Sequence, residues 1–491
     1  MRSYIHDPNG IRLPIKIDNA SNGEFSPLEL SKRNIEGNRQ ALLDADDAAR
    51  KLGHDRRSFL VGACGAASTL LSVNAVNAAA GKTGSFFEIA SEARYENSAA
   101  EDAIGGDEFI FDVHGHFINP FGKWREGIPE GAKPFSGLPA VEACPDKTEG
   151  LDYLECLSGD QFRKDVFVDS DTDMMVLTFV PSPADAEPLT IEEAEVTKNL
   201  LNADGTQRLL VHGRVNPNQA GDLETMDELA ERWKVSAWKT YTQWGPDGKG
   251  FWLHDEDTGI PFLEKARALG IRNIAVHKGI PFGRRSYEHS RCDDIGIVAK
   301  RYPDLNFLIY HSGYVPGQDE AAFAPGAGKD GVDALVQSML DNDVAPNSNV
   351  YADLGTTWRI LMQNPDSAAH GMGKLLKYVG EDNVIWGTDS IWYGSPQDQI
   401  QAFRSFQISE EFRERYGYPE MTPSLRAKVF GLNATKPYKI DVAKVAHMQS
   451  KDKFALAKAN AKDNADPHFL TFGPKSRREF MAFRRAEGSH T

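Results

Sequence analysis

From Phe109 onward the chain alternates short apolar runs with longer stretches in which apolar residues recur at helical spacing. The apolar runs are Phe109–Val113, Met174–Val180, Leu209–Val215, Val235–Tyr241, Asn273–His277, Asn306–His311, Val350–Leu354 and Val384–Gly387. Near-continuous apolar runs of this length are what strands covered on both faces look like. Thr190–Asn202, Leu223–Lys234, Pro261–Leu269, Asp293–Tyr302, Gly331–Asp341 and Ser367–Val379 read as the helices between them. Alternating strand and helix implies right-handed crossovers and a parallel sheet. Eight such strands predict an α/β fold, a (β/α)8 TIM barrel. A doubly wound open sheet gives the same alternation, but no G-x-G-x-x-G follows any of these strands. Polar residues cluster just after many of them, as the single active face of a barrel requires.

Two connections are long, Phe117–Asp173 and Ser312–Asn349. Both follow C-terminal strand ends, so both are expected to overhang the active face. Trp124, Arg125, Tyr314 and Phe323 are candidates there for lid residues or packing anchors. The barrel is assigned to residues 106–441. Before it, residues 1–55 are polar with little periodicity and read as a poorly ordered extension, with one short helix around Arg39–Leu52. Residues 81–105 read as a linker. After the barrel, residues 442–491 form a lysine- and arginine-rich C-terminal extension expected to pack on the barrel or on a neighbouring subunit.

Residues 56–80 alter the picture of the N-terminus. Arg56-Arg57-Ser-Phe-Leu is followed by an uncharged run from Val61 and by the small residues Ala78-Ala79-Ala80, the parts of a twin-arginine export signal. The run is too short and too rich in small residues for a membrane span, so no stable membrane anchor is expected. Used as a signal, it sends the protein to the periplasm or outside the cell; unused, it is an Ala-rich helix of a cytoplasmic protein. About fifty residues precede the arginines, an unusual position for such a signal.

A formal net charge of −16 argues against a nucleic-acid partner, since a phosphate backbone needs a basic surface. A small-molecule substrate fits the composition, and a homo-oligomer is compatible with it. The four cysteines match no zinc-finger spacing. Cys144 and Cys156 share one loop-like stretch and are either a disulfide pair or two ordinary thiols.

The chemistry collects at strand ends. The first strand runs into Asp112-Val-His114-Gly-His116, the fifth ends in His277, the sixth in His311, and the eighth leads to Gly387-Thr388-Asp389. Alternation puts His114 and His116 on one side, and paired imidazoles begin a metal site. Ligand-type residues at the ends of strands one, five, six and eight meet in space only if the barrel closes.

These residues, with Trp238-Lys239-Thr240 after the fourth strand and Val429-Phe-Gly-Leu-Asn433-Ala at the close, resemble the amidohydrolase superfamily, in its amidohydrolase-related branch. The resemblance covers roughly Asp107 to Asp441. Phe167–Pro183 is similar to a subgroup that often carries twin-arginine signals. The branch holds hydrolases, lactonases and non-oxidative decarboxylases. The resemblance implies one divalent ion held by His114, His116, His277 and Asp389, with zinc first from the nitrogen-plus-carboxylate set and manganese or iron next. Asp389 is then the proton carrier and His311 orients or polarises substrate. Lys239 either bridges two ions as a carboxylated lysine, binds a substrate carboxylate, or pairs with a nearby acid. Arg214 is a second candidate for an anionic substrate, or else part of an ordinary salt bridge. His212 reads as structural. The first expectation for activity is hydrolysis of an amide, ester or lactone through metal-activated water. Its alternatives are decarboxylation of an aromatic or unsaturated acid, and a non-catalytic binding barrel.

Overall fold

The eight apolar runs all contribute strands. The structure, a computed structural model, describes residues 10–127, 156–281, 287–326, 328–463 and 469–486. The strands are β1 (Phe111–Gly115), β2 (Met174–Leu177), β3 in two pieces (Leu209–Val211 and Gly213–Arg214), β4 (Trp238–Tyr241), β5 (Asn273–His277), β6 (Asn306–Tyr310), β7 (Val350–Asp353) and β8 (Val384–Ile385). Every pairing between them is parallel and joins neighbours in sequence. The Val113 N–H donates to the Trp386 carbonyl, and Gly115 bridges Ser390, so the last strand returns to the first. A parallel eight-stranded barrel is the result.

Its interior follows from side-chain alternation. Phe111, Val113, Met174, Val176, Ala237, Ala275, Leu308, Tyr310, Tyr351 and Ile385 form one cluster that Ala434 and Tyr438 close from below. The alternate residues Ile274, Val276, Phe307 and Ile309 pack with the surrounding helices. Each fully buried large side chain contributes roughly 1.5–3 kcal/mol, which commits the strand register.

The N-terminal region departs from expectation. Lys32–Leu52 is one helix, begun by Ser31, whose side chain accepts the Asn34 N–H, and ended at Gly53, whose φ of 72° suits glycine. Gly37, Ala41, Ala45, Ala48 and Ala49 make a small-residue face. Ala63–Ala79, the core of the expected signal, is a second helix with Ala66, Ala67, Leu70 and Val73 buried. Arg56 is paired with Asp46 at 3.2 Å, and Ser72 donates to Asp44. Residues 81–105, read as a linker, contain the strand Ser85–Phe87, antiparallel to Phe406–Ile408, and the helix Asn97–Ile104. Low polarity contrast hid these elements: small residues pack closely without producing a strong apolar stripe. No described helix is long and apolar enough to cross a membrane.

The C-terminal extension lies on the barrel. Arg208 pairs with Asp452, Gln449 donates to the Asp173 carbonyl, and Leu470 and Phe472 are buried with Phe117 and Trp392. Trp124 and Tyr314 are buried anchors, Arg125 donates to the Pro120 carbonyl, and the Phe323 ring lies against Tyr378. Cys156 is disulfide-bonded, while Cys144 lies outside the described residues. Cys64 and Cys292 are buried free thiols.

Candidate metal centre

Three departures from regular strand geometry aim the ligand side chains. Phe111 and Val113 face the barrel interior, so strict alternation would turn His114 outward. Between Asp112 and Gly115, however, β1 carries an extra residue relative to β2. The bulge brings His114 to the mouth. His311 and Asp389 follow their strands with φ of 65° and 59°, left-handed positions that bulky residues seldom adopt. Asp112 fixes both sides of this region, accepting from the His114 N–H and from the Thr388 N–H and hydroxyl.

Each of four buried histidines has one ring nitrogen engaged by a protein acceptor. His114 Nδ1 meets Asp353 Oδ2 at 2.8 Å, His311 Nδ1 meets the Gly355 carbonyl at 2.8 Å, and His277 Nε2 meets the Ile280 carbonyl at 3.2 Å. His116 meets the Thr178 carbonyl. In all four a ring nitrogen faces a carboxylate. His114 Nε2 and His116 Nε2 lie 3.3 and 3.4 Å from the same Asp389 oxygen. His311 Nε2 lies 3.8 Å from Glu24 Oε2, and the remaining nitrogen of His277, Nδ1, lies 3.6 Å from Glu24 Oε1. Metal-ligating histidines are oriented in this way, one nitrogen held by the protein and the other directed at the ion. The donor set fits a divalent cation: His114, His116 and Asp389 offer donor atoms within 4.8 Å of one another, as do Glu24, His277 and His311.

Burial sets the protonation states. It holds His114, His116 and His277 well below the usual histidine range and His311 down to about 3, with the Lys239 charge acting in the same direction. All four are neutral at pH 7, the form in which an imidazole can bind a metal. Burial lifts Asp389 to about 6 and Asp353 to about 7. A cation among these carboxylates would bring both back to the ionised form. Asp389 is further held by the Thr356 hydroxyl at 2.6 Å and the Asn22 amide at 2.8 Å.

The expected ligands fall in two adjoining groups, which a third, His114 with His311 and Asp353, joins. His114, His116 and Asp389 form one; His277 belongs with His311 and Glu24. Lys239 is fully buried at the centre, its Nζ 3.5 Å from the Tyr310 ring centroid and 4.7 Å from that of Tyr241, with no hydrogen-bond partner among the described residues. Arg214, the register partner of Lys239 on the next strand, is ion-paired with Glu187 at 2.8 Å and Asp222 at 3.2 Å beside Phe179, Ile191 and Trp233. These contacts are those of the salt-bridge reading, with the guanidinium fork engaged by two carboxylates. His212 meets the Tyr438 hydroxyl at 2.8 Å, a structural contact.

Sequence reasoning missed Asp353, Thr356, Asn22 and Glu24. Asp353 ends β7 as the ligands end other strands, which was a usable signal. Asn22 and Glu24 lie outside the barrel and gave none.

Fold and centre together define a barrel enzyme of the metal-dependent kind, with its donors at the C-terminal ends of the strands. The profile of the amidohydrolase family matches residues 111–440, and the chain belongs to that family. No curated protein matches it. Similar solved structures include 5-carboxyvanillate decarboxylase from Sphingomonas paucimobilis, 13% identical, with 68% of this chain and 100% of that one covered and a TM-score of 0.39. The 2,6-dihydroxybenzoate decarboxylase from Rhizobium is 14% identical, with 68% and 99% covered and a TM-score of 0.39. A dihydroxybenzoic acid decarboxylase from Polaromonas with bound manganese is 12% identical, with 69% and 99% covered and a TM-score of 0.39.

Proposed function

We propose that the protein is a metal-dependent enzyme that removes carbon dioxide, without oxidation, from a small aromatic or unsaturated carboxylic acid. The observation that carries this reading is Lys239: an ammonium group buried among the histidines with no hydrogen-bond partner among the described residues. Burial pushes its pKa down to about 7. Glu24, Asp353 and Asp389 act on it only through space, and a substrate carboxylate seated beside it adds a direct partner that holds the amine protonated. An acid that loses carbon dioxide brings that charge by definition; an ester, amide or lactone need not.

A divalent ion held by His114, His116 and Asp389, beside His277 and His311, supplies Lewis-acid polarisation of substrate oxygens when bound. The rest falls to the protein. Lys239 orients the acid, and His311 stands beside it with its ring fixed by the Gly355 carbonyl. The bond from ring or alkene carbon to the carboxylate breaks, its electron pair stays on that carbon, and carbon dioxide leaves. An aromatic or conjugated framework is required because it delocalises that pair. The carbon then takes one proton, for which Asp389 is the carrier.

Hydrolysis, the first expectation from sequence, is the second reading. Three donors meeting at one point in an amidohydrolase-family barrel leave coordination positions open for water. The two readings separate in one assay. Manganese- or zinc-loaded protein is offered hydroxybenzoic and unsaturated acids alongside esters and lactones. Carbon dioxide release that is lost in Asp389→Asn supports decarboxylation; turnover of the neutral substrates alone makes the protein a hydrolase.

A further inference from the structure

The amidohydrolase match begins at residue 111, yet a carboxylate from residues 10–31, outside that match, reaches His277 and His311. This arm has no helix or strand of its own and is fixed along its length. Ile15 and Ile17 are buried. Lys16 donates from Nζ to the carbonyls of Tyr393 at 3.0 Å and Ser395 at 2.7 Å, and pairs with Asp398. Asp18 takes Arg359 at 2.7 Å and the Thr471 hydroxyl at 2.7 Å. Ser21 donates its N–H to the Pro474 carbonyl, so the C-terminal extension holds the arm from the other side. Ala20 of the arm is buried in one cluster with Trp392 and Tyr393.

At the tip, Asn22 Nδ2 donates to Asp389 Oδ2 at 2.8 Å and to Glu24 Oε2 at 2.7 Å. Asn22 also accepts the Glu24 N–H through its own oxygen at 3.0 Å, which fixes the carboxylate's direction. Glu24 thereby faces His277 Nδ1 and His311 Nε2 with one oxygen each, and the three residues offer donor atoms within 4.8 Å. Two neutral imidazoles and one carboxylate are a sufficient set for a divalent ion with open positions.

We propose that Glu24 is a metal ligand of the mature enzyme, supplied by the N-terminal arm to His277 and His311. The assignment rests on the metal-dependent reading above. It has a consequence for the twin-arginine segment. Cleavage at Ala78–Ala80 would remove Glu24, Asn22 and the two helices that anchor the arm, so the arm must be retained in the working protein whatever compartment it occupies.

The test uses the full-length chain and Mn²⁺ alone, with affinity measured by competition against a chromophoric chelator. A parallel Co²⁺ absorption spectrum reports the ligand set. Glu24→Gln keeps size and loses charge; it is expected to weaken the site by roughly 10- to 100-fold and to change the Co²⁺ bands. Glu24→Asp restores a carboxylate and is expected to recover part of both, which keeps the test valid should the glutamine variant fold poorly. Wild-type affinity and spectrum in both variants overturn the assignment while leaving the metal reading intact. A wild-type chain that binds no Mn²⁺ or Co²⁺ overturns both. Peptide mapping of the natively expressed protein is expected to contain Glu24, and a fully metal-competent chain beginning near Gly81 refutes the claim.

Discussion

Asp353 Oδ2 lies 2.8 Å from His114 Nδ1 and also receives the backbone N–H of His311 at 3.2 Å. One carboxylate oxygen therefore sets the ring of one histidine and the turn that carries another. Its removal frees the His114 ring and leaves a buried N–H without an acceptor. Asp353→Ala is expected to weaken metal binding by roughly 10- to 100-fold while Asp353→Asn, which keeps an acceptor, loses less. Chelator competition measures both. Equal affinity in all three proteins would show that the contact does not orient the ligand.

Lys239 offers a sharper division. Lys239→Met keeps most of the side-chain volume and deletes the charge. If the amine binds a substrate carboxylate, KM for the acid rises by roughly 10- to 100-fold, the worth of a charge-assisted hydrogen bond, and bound metal per chain is unchanged. If instead the lysine is carboxylated and bridges ions, the variant loses metal. Elemental analysis beside steady-state kinetics distinguishes the two.

Arg214 should matter for stability and not for catalysis. Its side chain is only 10% exposed, and Asp222, which it neutralises, is 5% exposed. Arg214→Ala leaves that carboxylate without its cation, which for a buried pair costs roughly 3–5 kcal/mol, less where water reaches it. A clear drop in Tm with kcat/KM retained in the folded protein is expected. A selective rise in KM with normal Tm would return Arg214 to the substrate site.

The strands were legible because both of their faces are covered, so each run is apolar almost without interruption. His114, His116, His277 and Asp389 were legible because the ends of parallel strands share one face of the barrel. Their grouping was not. It depends on the β1 bulge and on positive φ at His311 and Asp389, local geometry that simple alternation does not encode. Arg214 was ambiguous for a different reason. A guanidinium near a strand end suits a substrate or a neighbouring acid equally well, and Glu187 and Asp222 come from segments whose positions only the folded chain defines. The arm was illegible because Asn22 and Glu24 act alone within a polar stretch, held by partners more than 200 residues away, such as Asp389, His277 and His311.

His370 gives a pH dependence independent of the metal centre. It is 8% exposed, its Nδ1 meets the Tyr418 hydroxyl at 2.9 Å, and burial, followed by the Lys374 charge, lowers its pKa to about 4. The unfolded chain takes up a proton near the ordinary value of about 6.5 that the folded chain refuses until about 4. This contribution to stability is therefore fully present above the unfolded value and is lost as pH falls through the folded one. Denaturant titrations between those limits should show stability falling with acid, and the slope should flatten in His370→Phe. An unchanged slope in the variant would assign the acid sensitivity to other groups.

Metal loading should be visible in both protons and stability. Without a cation, burial holds Asp353 near 7 and Asp389 near 6, so at pH 6 both carry substantial protonation. An ion brought among His114, His116 and Asp389 favours the ionised carboxylates, and binding must release protons. Titration calorimetry at pH 6 in buffers of different ionisation enthalpy should give different apparent heats, with net proton release that shrinks as pH rises towards 8. Binding to the folded chain alone also stabilises it, by roughly 2.7 kcal/mol at a free ion concentration of 100 Kd. The chelated protein should accordingly melt lower, with a Tm that rises with added Mn²⁺ or Zn²⁺. Asp389→Asn should blunt both effects, since it deletes one titrating group and one ligand together. Heats independent of buffer, together with a Tm indifferent to chelator, would mean that these residues keep their protons and their positions without an ion, and the metal-centred reading of the site would fall.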